Sequence, residues 1–128
     1  MTPREVVESF WEAMRANDWD AAARHFATDT VIEWPCTGER MRSPAAWAEL
    51  QARYPAAGRW RFDLHRLIAE GGTAVSECTV TDGEHSARVV AISEVEGDEI
   101  VRQIEYWTVA YEPAEWRADL VERVEPVP

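Results

Sequence analysis

Up to about residue 55 the apolar positions recur at helical spacing, and from residue 59 onward they recur at every second position. Val6, Val7, Phe10 and Met14, with Trp11 on the edge, form one stripe of a first helix running from Pro3 to Ala16. Thr2-Pro3-Arg4-Glu5 starts it, with an N-cap hydroxyl, a proline at the first helical position and a glutamate placed to complete a capping box. Asp18 can cap a second, short helix with Ala22, Ala23 and Phe26 inward. Thr30-Val31-Ile32-Glu33-Trp34-Pro35 reads as a strand. Ser43-Pro44 then starts a third helix of about eleven residues, with the stripe Trp47, Leu50 and Tyr54, which Pro55 stops.

In the period-two region Trp60, Phe62 and Leu64 alternate with Arg61, Asp63 and His65. The pairs Gly71-Gly72, Asp82-Gly83 and Gly97-Asp98 punctuate three further runs rich in Val, Ile and Thr, the pattern of an antiparallel meander. Pro113 ends the last strand, and Trp116, Leu120 and Val124 suggest a short C-terminal helix. Helices at the front and strands at the back predict an α+β chain, residues 1–128 forming a single domain whose curved, mostly antiparallel sheet wraps the N-terminal helices.

Charge narrows the partners. Twenty-four acidic against thirteen basic residues give a net charge of −11, which repels phosphate backbones and anionic membrane surfaces. Nucleic acid and membrane are therefore not expected partners. No apolar run approaches the ~20 residues of a membrane span and no signal-peptide layout opens the chain, so a cytoplasmic location is the expectation. Cys36 and Cys78 lack metal or redox spacing and read as buried, reduced thiols.

The order of helix, Asn17-Asp18-Trp19-Asp20 hinge, second helix, strand through Trp34-Pro35, third helix and meander closing on Ile100-Val101-Arg102-Gln103-Ile104-Glu105-Tyr106-Trp107 resembles the NTF2-like superfamily. The Gly38-Glu39-Arg40 turn and the ending from Glu112-Pro113 to Trp116-Arg117 resemble its SnoaL-like branch of small bacterial proteins. The resemblance implies a cone with a deep pocket between helices and sheet, and a homodimer paired through the outer face of the sheet. The branch includes cyclases, isomerases, hydrolases, dehydratases and proteins without a known reaction, so it supplies no mechanism. Steroid-isomerase relatives carry a catalytic aspartate before the proline of the first strand, where this chain has Trp34. Their oxyanion-donating tyrosine and protonated aspartate align with Phe10 and Ala91, so that mechanism is not expected here.

By the same resemblance Val75, Glu77 and Thr79 face the pocket from one strand, and Gln103, Glu105 and Trp107 from the last. Two turns of equal parity would put Glu77 and Glu105 on one face, roughly 9.6 Å apart across an intervening strand. With two-residue turns Arg88 lies between them and a salt-bridged, structural network results. With three-residue turns Val89 lies between them, His85, Ala87, Ala91 and Ser93 also point inward, and apolar walls raise both glutamates toward acid/base range. The resemblance favours the second register, although either glutamate could instead lie outside or at a wet rim.

Trp34 and Trp107 can wall a cavity or serve as core, and His85 can point inward or be solvated near its turn. His85, Glu77 and Glu105 lack the spacing that would argue for a metal, and no cofactor is needed. Glu39 and Arg40 can hold a loop over the cavity mouth or form a surface ion pair. The expected function is binding of a small apolar, ring-bearing molecule, with Glu105 as base and Glu77 as acid of an isomerisation, cyclisation or hydrolysis. Trp34, Trp107, Phe10, His85, Gln103 and Ser93 are the expected ligand contacts. The alternative is a non-catalytic dimeric module that binds a ligand or another protein in the same cavity.

Overall fold

A computed structural model describes residues 1–127. Helix α1 (Pro3–Arg15) starts with the expected capping box and buries Val6, Val7, Phe10, Trp11 and Met14. Asn17 follows in the left-handed region at φ 54°, which asparagine tolerates better than most residues. Its side-chain amide exchanges two hydrogen bonds with the backbone of Trp60, at 2.8 and 3.0 Å, and so ties the helical hinge to the start of the meander. Asp18 caps α2 (Trp19–Ala23), which stops before Phe26. Phe26 instead opens strand β1 (Phe26–Trp34), four residues earlier than the Thr30 start that periodicity suggested.

A short β2 (Glu39–Met41) precedes α3 (Pro44–Arg53), then come β3 (Arg61–Glu70), β4 (Thr73–Thr81), β5 (Ser86–Glu96) and β6 (Glu99–Thr108). The six strands lie in the order β2-β1-β6-β5-β4-β3. The meander is antiparallel, and β1 joins it parallel to β6. The three helices pack on the concave face, where Phe10 meets Trp11, Phe26 and Trp47 at ring-centre distances of 5.1, 5.4 and 5.8 Å. The Trp11 indole, buried with them, donates to Ser76 of β4 at 2.9 Å, so α1 is oriented on the sheet by a polar contact as well as by area.

Register decides which side chains reach the concave side. The turn from β4 to β5 has four residues, with Thr81 facing Ser86 and hence Glu77 facing Val90. The turn from β5 to β6 is Gly97-Asp98, with Gly97 at φ 60°, and Val95 faces Ile100. One step on, Glu94 faces Arg102, so Val101 is the extra residue of a β-bulge. That residue reverses the parity of all of β6 beyond it. Glu105 faces Ala91 instead of Val90 and shares a face with Ser76, not with Glu77.

The sheet is therefore as expected on β5 and β6 and opposite on β4. Val89, Ala91 and Ser93 are buried, as are Gln103 and Glu105. On β4 the buried positions are Ala74, Ser76, Cys78 and Val80, whereas Val75, Glu77 and Thr79 belong to the convex face. The expected C-terminal helix is a 3-10 helix, Glu115–Leu120, and Trp116, Leu120 and Val124 are all exposed. Among the described residues no helix is long and apolar enough to cross a membrane.

Candidate functional site

Gln103, Glu105 and Trp107 are successive positions on one face of β6, and continuing the parallel register that pairs Glu33 with Ile104 brings Trp34 beside Glu105. Four side chains thus converge from the pleat alone. The indoles of Trp34 and Trp107 both donate to Oε1 of Glu105, at 2.8 and 3.0 Å. Gln103 donates its amide N–H to Oε2 at 2.7 Å, and its carbonyl accepts from Ser93 Oγ at 2.7 Å. Since every partner is a donor, the carboxyl is bound purely as an acceptor, the role of its ionised form. Two lone pairs of Oε1 are filled and one of Oε2, which leaves one acceptor position on Oε2.

Trp34, Glu105 and Trp107 of this group line a cavity of about 620 Å³. Its walls are Trp34, Trp107, Trp60, Phe62, Tyr54, Val80, Ala87 and Val109, and its polar residues besides Glu105 include Gln51, Thr37, Glu39, Ser86 and His85. A second, shallower cavity beside α3 shares Trp34, Tyr54 and Pro55 with it, so these three residues are a partition between the two. The cavity offers a largely aromatic-walled space with a hydrogen-bonded carboxylate, Glu105, in its lining.

At the rim, Asp82 has a fully buried side chain that accepts from the backbone N–H groups of Ala57, Glu84 and His85 at 2.8, 2.9 and 2.6 Å, and pairs with His85 Nδ1 at 2.9 Å. The backbone donors from Ala57 and His85, with the imidazole after them, hold the Asp82 carboxyl well below the usual carboxylate range. The hydrogen bond to Asp82, then its charge, raises the imidazole of His85, although that side chain is 68% exposed. His85 lies about six strand residues from Ala91, the cross-strand neighbour of Glu105, or roughly 20 Å of backbone. Its imidazole hydrogen-bonds Asp82, not Glu105.

The opposing pH windows of this pair are testable. Lowering of Asp82 stabilises the fold above its unfolded value of about 3.9, and that contribution is lost as pH falls toward the folded value. Raising of His85 stabilises below about 6.5 and is lost as pH rises through the higher folded value. Thermal melting against pH should therefore find the pair's contribution greatest between about pH 4 and 6.5. In Asp82→Asn the melting temperature should be lower in that window and flatter below about pH 4; an unchanged profile would mean that the pair does not couple to folding.

Several expected site residues are placed differently. Glu77 is on the convex face, bound to Arg66 at 2.9 Å and to Arg88 at 3.3 Å, so the proposed acid is absent from the cavity. Phe10 is fully buried in the helical core and does not line the cavity. Gln103 and Ser93 stand behind Glu105 and orient it instead of facing a ligand. Trp60 and Phe62, expected only as alternating positions of a strand, and Tyr54, expected in a helix stripe, are walls; the strand alternation that points Trp60 and Phe62 inward was the available signal. Among the described residues no three His, Cys, Asp or Glu side chains gather as a metal site. The chain also has no lysine, which closes imine chemistry through a side-chain amine.

The cone of three helices on a curved six-stranded sheet is a fold shared with many solved proteins. The pattern of the SnoaL-like domain matches residues 7–103, and the chain belongs to that family. It is similar to a protein of Kribbella flavida DSM 17836 provisionally named a ketosteroid isomerase, at 30% identity over 97% of this chain and 90% of that one, with a TM-score of 0.86. An NTF2-like protein of unknown function from Burkholderia xenovorans LB400 is 26% identical over 96% and 95% of the two chains, with a TM-score of 0.78. An LEH-like epoxide hydrolase of M. tuberculosis shares the fold at 24% identity, covering 83% and 82%, with a TM-score of 0.68. No curated protein sequence matches the chain.

Proposed function

We propose that this protein takes a small, mainly apolar, ring-bearing molecule into the cavity and that Glu105 moves a proton on it. The observation that carries this reading is the carboxylate itself. It is 5% exposed, fixed by three N–H donors with one acceptor position unfilled, and belongs to the lining of an aromatic-walled cavity. Such a group is a positioned general base. With Glu77 on the other face and His85 paired with Asp82, Glu105 is the carboxylate that three donors hold in the cavity lining, and one group that both takes and returns the proton suits isomerisation or cyclisation better than hydrolysis, where a separate acid and a water are needed. The name of the Kribbella flavida relative is consistent with proton transfer. The test is turnover of small cyclic ketones and related ring compounds, monitored by exchange of substrate hydrogen for deuterium. Exchange that needs Glu105 supports the reading, and exchange that survives in Glu105→Gln overturns it.

A non-catalytic homodimeric binding module is the second reading, favoured by the convex face. Ile68, Val75, Ile92 and Ile104 are cross-strand neighbours from β3 to β6 and form an apolar row, partly exposed, flanked by Tyr106. A second copy covering that row would give the homodimer expected of the family. Sedimentation should then find a dimer, and Val75→Glu with Ile104→Glu should weaken association at least about tenfold by burying unpaired charge. A wild-type monomer at tens of micromolar would rule the dimer out.

A further inference from the structure

We infer that the molecule held in this cavity carries a positive charge: an organic cation, such as a ring-bearing quaternary or protonated amine, seated with its cationic end against Glu105. The inference rests on the cavity being the ligand site and does not depend on proton transfer following. Its first support is an imbalance of charge. Glu105 is buried and bound as an acceptor by three neutral groups, which disperse its charge but do not cancel it. No arginine lines the cavity, and the chain has no lysine. The histidine at the rim is matched by Asp82, and Glu39 adds a further carboxylate to the lining.

The second support is the composition of the walls. Trp34, Trp60, Trp107, Tyr54 and Phe62 surround the space in front of Glu105. Aromatic rings present a negative face, and a cation desolvated among several of them is attracted where an anion is repelled. Neutral apolar ligands gain only burial from such walls, and a ligand anion meets both the rings and the carboxylate unfavourably. The net charge of −11 adds a long-range field of the same sign, which draws cations toward the molecule.

Phenyltrimethylammonium and its uncharged isostere tert-butylbenzene separate charge from shape. Binding is read from the indole N–H resonances of Trp34 and Trp107, which report directly on the atoms bound to Glu105. The cation should bind at least about tenfold more tightly than the isostere, the range of a desolvated cation–π site with a carboxylate. Glu105→Gln should remove most of that preference. This variant can retain its hydrogen bonds, since turning over the Gln103 amide offers a carbonyl to the new amide and an N–H to Ser93. Equal or tighter binding of tert-butylbenzene to the wild type overturns the inference and leaves the cavity reading standing. A preference that persists in Glu105→Gln also overturns it. If neither compound moves the two indoles, both readings fall together.

Discussion

Glu105→Ala should lose about 3–5 kcal/mol of folding stability in urea denaturation, whereas Glu105→Gln should stay within about 1 kcal/mol of wild type. Alanine would leave two indole N–H groups and one amide N–H without acceptors inside a mostly buried cluster. Each orphaned donor costs about 1–3 kcal/mol, and a domain of this size has only some 5–15 kcal/mol in total. Glutamine keeps a carbonyl for the indoles, and its amide can donate to a reoriented Gln103. The same pair of variants separates stability from chemistry. With a substrate in hand, the folded glutamine variant should fall by about 10²–10⁴-fold in kcat, the contribution of a positioned acid/base group. Comparable destabilisation by both substitutions would mean that charge, not hydrogen bonding, holds the cluster.

Phe10→Ala should be the most damaging change in the helical layer, at about 3–5 kcal/mol. Phe10 is fully buried and meets three aromatic rings, so truncation removes both transfer energy and edge-to-face contacts and leaves a void that Trp11, Phe26 and Trp47 cannot fill without leaving their own partners. Phe10 does not line the cavity, and the conservative Phe10→Leu variant should therefore bind ligand as the wild type does. A change in affinity on Phe10→Leu larger than about tenfold, with the fold intact by far-UV circular dichroism, would return Phe10 to the ligand site.

The fold was legible because its signals are local. The capping box at Thr2–Glu5, the Ser43-Pro44 start and the glycine-bearing turns each specify a backbone conformation within a few residues. The site was legible only in part, since it depends on parity summed over two turns. The family resemblance, not alternation alone, put Val89, Ala91, Ser93, Gln103 and Glu105 on the concave side, where they are buried. Glu77 failed because a four-residue turn and the bulge at Val101 do not preserve the equal parity assumed. No residue type at 101 announces the bulge: valine is a good strand former, and the slip is visible only in the pairing. Trp34 illustrates the opposite case. Its place in the first strand suggested the loss of a carboxylate, yet the indole is a principal donor to the carboxylate one strand away.

The bulge at Val101 has a consequence for tracing kinship across the family. A one-residue gap opposite this position in an aligned relative would leave the letters of the last strand in perfect correspondence and turn its side chains over. A glutamate matched to Glu105 would then sit on the outside of the cone beside the counterparts of Tyr106's neighbours, and shared identity at that column would mean different chemistry. Inheritance of the carboxylate's role has to be judged by counting residues from the hairpin, not by the identity of the residue alone.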